Sequence, residues 1–401
     1  MIKRTLQELC LNITDGKHGD CENEENSGYY FISCKDIFDG QINYKNARQI
    51  TKADFEETHK RTMLEVDDIL LTNSGTIGRM AFVTDREATT KTTFQKSVAI
   101  IKPDKQKVLP RYLYYQLQNC VPQFINSSNG SAQKNLLLST MRTFRIEIEE
   151  NREKQEKIAN TLSAYDDLIE NNQKQIKLQE EAARRLYKEW FVDLRFPGHE
   201  NTKIVDGVPE GWSKSTVSEV SAVLRRGISP KYNEKARSIV INQKCIRQTI
   251  VSYDEARTQE KKYPAELEMM ESDIVICSTG AGTLGRVGQI FEAKGNATLD
   301  SHVTLIRANE KIGQQSLFWS LKMQQDYLMS AGKGSTNQLE LSRETIGSCE
   351  ILIPERKIAE QVEKNFVAIH NKMKECSMQI ARLREVRDLL LPKLMSGEMK
   401  V

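Results

Sequence analysis

Residues 68–79 read DILLTNSGTIGR, and residues 273–286 read DIVICSTGAGTLGR, which is the same pattern with two residues inserted. Two further pairs keep the same order along the chain: residues 32–37 return as 241–246, and the Gly-Ser stretch 130–133 returns as 334–337. Matches that keep their order are the mark of an internal repeat. The sequence therefore predicts one long unit that is present twice.

Each copy begins with a region of mixed secondary structure. Short β-rich runs such as 98–101 and 303–306 alternate with Gly, Ser and Asn loops, and residues 112–117 have the pattern of a short amphipathic helix. We therefore expect an α+β protein with two similar mixed α/β globular domains. The first is predicted over 1–150 and the second over 197–353, with a linker at 197–208.

A long helix is predicted after each domain, over 151–196 and 354–401. Neither Pro nor Gly occurs between 152 and 191, and apolar residues there recur at the 4-3 spacing of a heptad seam. The series returns 204 positions later, as Val362 does after Ile158. The predicted seam residues are Ile158, Leu162, Ile169, Ile176, Leu186, Val362, Phe366, Ile369, Ile380 and Leu390.

A seam of two residues per heptad is buried only when a second helix covers it. Repeated units most often associate with two-fold symmetry, which makes two equivalent helices antiparallel. We therefore expect an antiparallel two-helix coiled coil between the domains, in a pseudo-two-fold internal repeat. The alternative is that each helix packs on its own domain. Asn172 and Gln179 are polar seam positions, which either fix the register or are ordinary variation.

Composition excludes several classes of protein. No apolar run approaches the roughly 18 residues that span a membrane, and the first residues lack the apolar region of a secretion signal. The eight cysteines form no Cys-x-x-Cys pair, and their scatter is typical of the reducing cytoplasm. The five isolated histidines form no metal-ligand cluster, so no metal site is expected. Because no long apolar run is present, no membrane partner is expected either.

The charge of the two predicted domains is close to balanced. Residues 1–150 carry 20 Lys and Arg against 20 Asp and Glu, and residues 209–350 carry 18 against 17. A DNA-binding domain usually has a clear basic excess. Contacts with DNA would therefore need charge that is arranged on one face.

Two strings resemble a known family. Residues 186–198, LYKEWFVDLRFPG, with PEGW at 209–212, are similar to the central junction of the specificity subunits of Type I restriction-modification systems. Residues 383–398, LREVRDLLLPKLMSGE, are similar to the C-terminal part of the same subunits. The resemblance covers essentially the whole chain, including the order domain, helix, domain, helix.

The resemblance implies a function. Such subunits bind a bipartite target in double-stranded DNA through two target-recognition domains. Their paired helices dock two copies of an adenine methyltransferase subunit, and restriction-translocase subunits join the complex. The resemblance implies that S-adenosylmethionine, ATP and magnesium belong to those partners, and that this chain holds no cofactor and no catalytic residue.

Loop residues with suitable hydrogen-bond donors are the candidates for DNA contact. Arg and Lys can read guanine or hold phosphate, whereas Ser and Thr bind any base. The candidates are Lys35, Ser74, Thr76, Arg79 and Lys134 in the first domain, and Lys244, Ser278, Thr279, Arg286 and Lys333 in the second. The alternative is that these loops only shape the fold.

Two other functions compete with DNA recognition. Residues 280–285 read GAGTLG, which matches the glycine pattern of a dinucleotide site and would suit an enzyme that uses NAD or S-adenosylmethionine. Such a site needs a helix next, but residues 286–291 alternate like a strand. A coiled-coil scaffold without a DNA role is the third possibility, which the near-neutral domains leave open.

Overall fold

The chain forms two compact units. The computed structural model describes residues 1–128, 134–280, 282–334 and 339–400. Unit 1 comprises Met1–Glu170 with Ala381–Val401, and unit 2 comprises Asn171–Ile380. Each of the two long helices therefore contributes one part to each unit.

Unit 1 is built mainly from short strands. Its strands are β1 (Ile2–Thr5), β2 (Cys10–Asp15), β3 (Tyr30–Ile32), β4 (Ile37–Phe38), β5 (Gln41–Ile42), β6 (Arg48–Gln49), β7 (Ile69–Thr72), β8 (Met80–Phe82), β9 (Thr92–Phe94), β10 (Val98–Pro103) and β11 (Arg145–Ile148). Its helices before the long one are α1 (Leu6–Leu9), α2 (Lys52–Thr62), α3 (Arg86–Thr89), α4 (Pro110–Asn119), α5 (Val121–Asn126) and α6 (Leu138–Thr143).

The described residues of unit 1 form four sheets. An antiparallel four-stranded sheet has the order β2-β10-β7-β8, and a mixed three-stranded sheet has the order β6-β3-β9, in which β3 and β9 are parallel. Strand β1 pairs with β11, and β4 pairs with β5. Strand β7 is buried along its whole length because its apolar run faces packed side chains on both sides of the sheet.

The first long helix, α7, spans Arg152–Tyr187, and a π-helical turn at Lys188–Val192 follows it. The later strands are β12 (Ile204–Val205), β13 (Val208–Pro209), β14 (Ser213–Thr216), β15 (Ser221–Arg226), β16 (Ser238–Ile241), β17 (Arg257–Gln259), β18 (Ile274–Cys277), β19 (Val287–Gln289), β20 (Ala297–Leu299), β21 (Val303–Ala308) and β22 (Glu350–Ile353). The later helices are α8 (Val217–Val220), α9 (Gln314–Met323), α10 (Gln325–Ser330), α11 (Arg343–Gly347) and α12 (Arg356–Met395).

Unit 2 repeats three of the sheets of unit 1. Its four-stranded sheet has the order β15-β21-β18-β19, its three-stranded sheet has the order β17-β16-β20, and β14 pairs with β22. The parallel strand pair of its three-stranded sheet, β16 with β20, occupies the place of β3 with β9. The predicted α+β fold and the internal duplication are therefore confirmed.

A duplicated glycine explains one close approach in each unit. A Cβ atom at Gly16 would lie 1.9 Å from the carbonyl oxygen of Phe94. A Cβ atom at Gly227 would lie 2.1 Å from the carbonyl oxygen of Leu299. Both places therefore require a residue without a side chain.

A buried ion pair is also present in each unit. Lys102 Nζ lies 2.7 Å from an Asp68 carboxylate oxygen, and Arg307 Nε lies 2.6 Å from the Asp273 carboxylate. Burial raises the pKa of Asp68 to about 6, although hydrogen bonds from Lys102 and from the Glu65 backbone act in the opposite direction. In each unit the cation lies on one strand, β10 or β21, and the carboxylate belongs to the residue just before the neighbouring strand, β7 or β18.

The long helices run antiparallel where they meet in unit 1. Arg387 Nη1 donates to an Asp166 carboxylate oxygen at 2.7 Å. Leu394, further along α12, shares a hydrophobic core with Ile158 and Leu162, which precede Asp166 on α7. The helix ends therefore pack on the globular part of the unit as well as on each other.

In unit 2 the last part of α7 shares a core with the first part of α12. Ala183 and Tyr187 belong to the same cluster as Val362 and Phe366, and the ring of Phe366 stacks on Trp319. All ten residues predicted for the seam are buried or half-buried. No helix among the described residues is long and apolar enough to cross a membrane.

Candidate nucleic-acid interface

The turn between β7 and β8 is closed by a buried threonine. The Thr72 hydroxyl hydrogen-bonds to the Thr76 carbonyl and accepts from the Arg79 backbone N–H at 2.9 Å. Gly75 and Gly78 adopt positive φ angles of 78° and 93°, which the tight turn needs. Thr76 and Arg79 are consequently exposed on a rigid turn.

Other segments of unit 1 meet this turn. The Leu136 N–H donates to the Asn73 carbonyl at 2.8 Å, and the Asn73 N–H donates to the Ser97 carbonyl at 3.1 Å. The Cys34 N–H donates to the Ser97 hydroxyl at 3.1 Å. We define residues 33–36, 73–79, 95–97 and 134–136 as the unit 1 loop cluster. It contains all five sites that the sequence predicts in this half, namely Lys35, Ser74, Thr76, Arg79 and Lys134.

The unit 1 loop cluster carries unpaired positive charge. Lys35, Arg79 and Lys134 are exposed, and the described residues include no ion-pair partner for them. Lys96, which the sequence reading missed, lies beside Ser97 and is likewise exposed. Four cations are therefore free to meet phosphate or base edges.

Unit 2 builds the same cluster from equivalent loops. The Leu341 N–H donates to the Ser278 carbonyl at 2.8 Å, and the Ser278 N–H donates to the His302 carbonyl at 2.8 Å. Lys333 and Glu340 exchange two backbone hydrogen bonds at 3.0 and 2.9 Å. We define the described residues of 242–245, 278–286, 300–302 and 333–341 as the unit 2 loop cluster. It contains Lys244, Ser278, Thr279, Arg286 and Lys333.

A polar group that the sequence reading missed lies in the unit 2 loop cluster. The Thr279 hydroxyl lies 2.7 Å from His302 Nδ1 and 3.4 Å from Gln243 Oε1. His302 is exposed, and its backbone N–H donates to Asp300, whose pKa is raised by burial. Because Thr279 holds Nδ1, the Nε2 edge of His302 is left to face solvent. Cys34 and Ser97 occupy the places of Gln243 and His302 in unit 1.

Two predicted sites of unit 2 have roles within the fold. Ser278 is fully buried, and its hydroxyl hydrogen-bonds to the Thr304 hydroxyl at 2.6 Å. This corrects the prediction, because a side chain at that position cannot reach DNA. The half-buried Arg286 donates to the Gly282 carbonyl at 2.6 Å, so part of its guanidinium holds the loop.

The described residues of the loop at 280–285 are not arranged as a dinucleotide site. It joins β18 to β19, which are antiparallel neighbours, so the element that follows it is a strand and not the helix that a dinucleotide site needs. Gly285 adopts a φ of 75°. The glycines therefore serve a turn between strands. Residues 130–133 and 335–337 of the predicted Gly-Ser repeat lie outside the described residues.

Comparison with known proteins agrees with this architecture. Residues 3–180 match the model of the Type I restriction modification DNA specificity domain. Over 389 residues the chain is 27% identical to the Type I restriction enzyme MjaIX specificity subunit of Methanocaldococcus jannaschii, covering 92% of this chain and 87% of that protein. It is 26% identical over 376 residues to the HindI specificity subunit of Haemophilus influenzae, covering 75% and 79%.

A crystal structure shows the same fold. The Type I restriction-modification S subunit from M. genitalium superposes with a TM-score of 0.56 at 17% identity, covering 98% of this chain and 95% of that one. Residues 3–180 thus match a DNA specificity domain in sequence, and the whole chain has the fold of a solved specificity subunit. The predicted resemblance to the specificity subunits of Type I restriction-modification systems is therefore confirmed in sequence and in fold.

Proposed function

We propose that each unit reads one part of a bipartite double-stranded DNA target through its loop cluster. The observation that carries this proposal is that the same cluster occurs on the same sheet topology in both units. Its side chains differ: Lys96 and Cys34 belong to one cluster, whereas His302 and Gln243 belong to the other. Different donors and acceptors suit different bases, so the two parts of the target would differ in sequence.

The long helices would dock the partner enzymes. Leu168, Leu178 and Leu389 expose between 51% and 61% of their surface on α7 and α12, which supports contact with another protein. We propose that two copies of an adenine methyltransferase subunit bind there, and that restriction-translocase subunits join them. S-adenosylmethionine, ATP and magnesium would belong to those subunits, and this chain would hold no cofactor.

Changes within each loop cluster test the assignment. The chain would be coexpressed with its methyltransferase partner, and methylated positions would be mapped by sequencing. We expect K35A/R79A to weaken methylation and relax base choice in one part of the motif only. K244A/K333A should affect the other part of the motif. This variant retains Arg286, because the Arg286 side chain is needed to hold its own loop.

A lysine away from both clusters provides the control. Lys60 is exposed in unit 1, and its change to Ala should leave the motif and the methylation level unaltered. If both double variants relaxed the same part of the motif, the assignment of one unit to each part would be wrong. If neither changed DNA affinity or motif, the loop clusters would not be the reading surface.

A further inference from the structure

The three-stranded sheet of unit 2 has a strongly basic edge. We define the basic edge as residues 229–237 with 257–262. It carries six Lys and Arg against two Glu, a net charge of +4. The six cations are all exposed: Lys231, Lys235, Arg237, Arg257, Lys261 and Lys262.

Backbone and side-chain contacts hold the two segments side by side. Tyr232 forms a β-bridge with Gln259, and the Glu260 N–H donates to the Lys231 carbonyl at 2.9 Å. Lys261 Nζ donates to the Ser229 carbonyl at 3.0 Å. The six cations therefore belong to one continuous surface.

Among the described residues, five of these six cations form no ion pair. Lys231 is paired with Glu260, and the Arg257 guanidinium lies 3.5 Å from the centre of the Tyr232 ring. Within the described part of the chain, Lys235, Arg237 and Lys262 form no ion pair. The surface thus keeps an uncompensated positive charge.

The equivalent edge of unit 1 has the opposite charge. Arg257 pairs with Val240 on β16 as Arg48 pairs with Phe31 on β3, which sets the correspondence between the two edges. The matched segments, 20–28 and 48–53, carry two Lys and Arg against four acidic residues, a net charge of −2. Arg48 itself is bonded to the Asp20 carboxylate. Because unit 1 has the same fold with an acidic edge, folding does not require the edge of unit 2 to be basic.

We propose that the basic edge of unit 2 binds the phosphate backbone of duplex DNA, as an anchor that unit 1 lacks. The proposal rests on the proposed function. Strand β16 continues from this edge into Gln243–Cys245 of the unit 2 loop cluster, so the anchor and the reading surface share one sheet. Phosphate contacts position a protein on the duplex without reading sequence. The anchor should therefore affect affinity and its salt dependence, and leave the target unchanged.

The test uses the full chain in complex with its methyltransferase subunit and a duplex that contains the target. Affinity is measured from about 50 to 200 mM NaCl, where each phosphate contact contributes about 0.9 to the slope of log K against log salt. The variant K235Q/R237Q/K262Q should lower that slope by about 2.7. Over the same range the affinity of the unchanged complex should therefore fall about 40-fold more than that of the variant.

The control is K45Q/K52Q/K60Q, which removes three exposed cations from unit 1 and gives the same net charge. Its slope should equal that of the unchanged complex. Equal slope changes in both triple variants would overturn the proposal, because overall charge would then explain them. No change in either, a changed methylation motif, or loss of a protein partner at unaltered DNA affinity would also overturn it. If the unchanged complex failed to bind DNA, the proposed function itself would be wrong.

Discussion

A buried histidine should make unit 2 sensitive to acid. His370 on α12 is 4% exposed, its Nδ1 lies 3.1 Å from Gln289 Oε1, and its ring lies 4.3 Å from that of Phe291. Burial lowers the pKa of His370 to about 4, a shift that nearby Glu271 opposes and Lys374 increases. In the unfolded chain a histidine titrates near 6.5. The folded state therefore requires the neutral imidazole.

The size of the effect follows from the two pKa values. Between pH 6.5 and 4 the unfolded state binds more protons than the folded state, so the free energy of unfolding falls as the pH falls through this window. Above pH 6.5 the contribution is complete. From pH 7.5 to pH 5 the loss is about 2 kcal/mol, and it approaches about 3 kcal/mol near pH 4.

Tryptophan fluorescence isolates this unit, because Trp190, Trp212 and Trp319 are the three tryptophans of the chain and all lie in unit 2. Urea unfolding at pH 7.5 and pH 5 would be compared in the unchanged protein, in H370N and in H18N, whose histidine is exposed. H370N should lose about 2 kcal/mol less stability on acidification than the unchanged protein. H18N should lose as much stability as the unchanged protein. An equal loss in H370N and the unchanged protein would refute the reasoning.

Three other changes have defined outcomes. In urea unfolding, G285A should destabilise unit 2 by more than about 3 kcal/mol, because the added Cβ atom would lie 2.4 Å from the Met329 nitrogen. G282A, whose Cβ atom would meet no atom within 4 Å, should cost about 1 kcal/mol in the same assay. F366A should cost about 3–5 kcal/mol in the same assay, since it empties a fully buried core position. H302A should reduce base discrimination by about 1–3 kcal/mol in one part of the methylated motif, as sequencing of methylated DNA would show.

The duplication and the long helices could be predicted because they depend on sequence order and period. Matching strings fixed the repeat, and the 4-3 spacing placed Ile158 and Val362 on buried helix faces. The turn at 280–285 was also predictable, since the residues after it alternate as a strand does.

Other features depend on tertiary contacts that no local pattern contains. Ser278 and Thr279 are adjacent polar residues of the unit 2 loop cluster, yet the first is fully buried and the second is only half-buried, a difference that the sheet register decides. His302 joins Thr279 from a segment 23 positions away. The basic edge of unit 2 combines two segments that are separate in the sequence. The net charge of the whole domain therefore does not reveal it.

Methylation mapping tests the central claim most directly. The host genome would be sequenced for modified adenines with this chain present and with it deleted, while its methyltransferase partner is retained. We predict one motif that depends on this chain and consists of two short specified blocks separated by unspecified bases. A continuous motif, or methylation that does not change on deletion, would contradict the claim that two units of one chain read two parts of a DNA target.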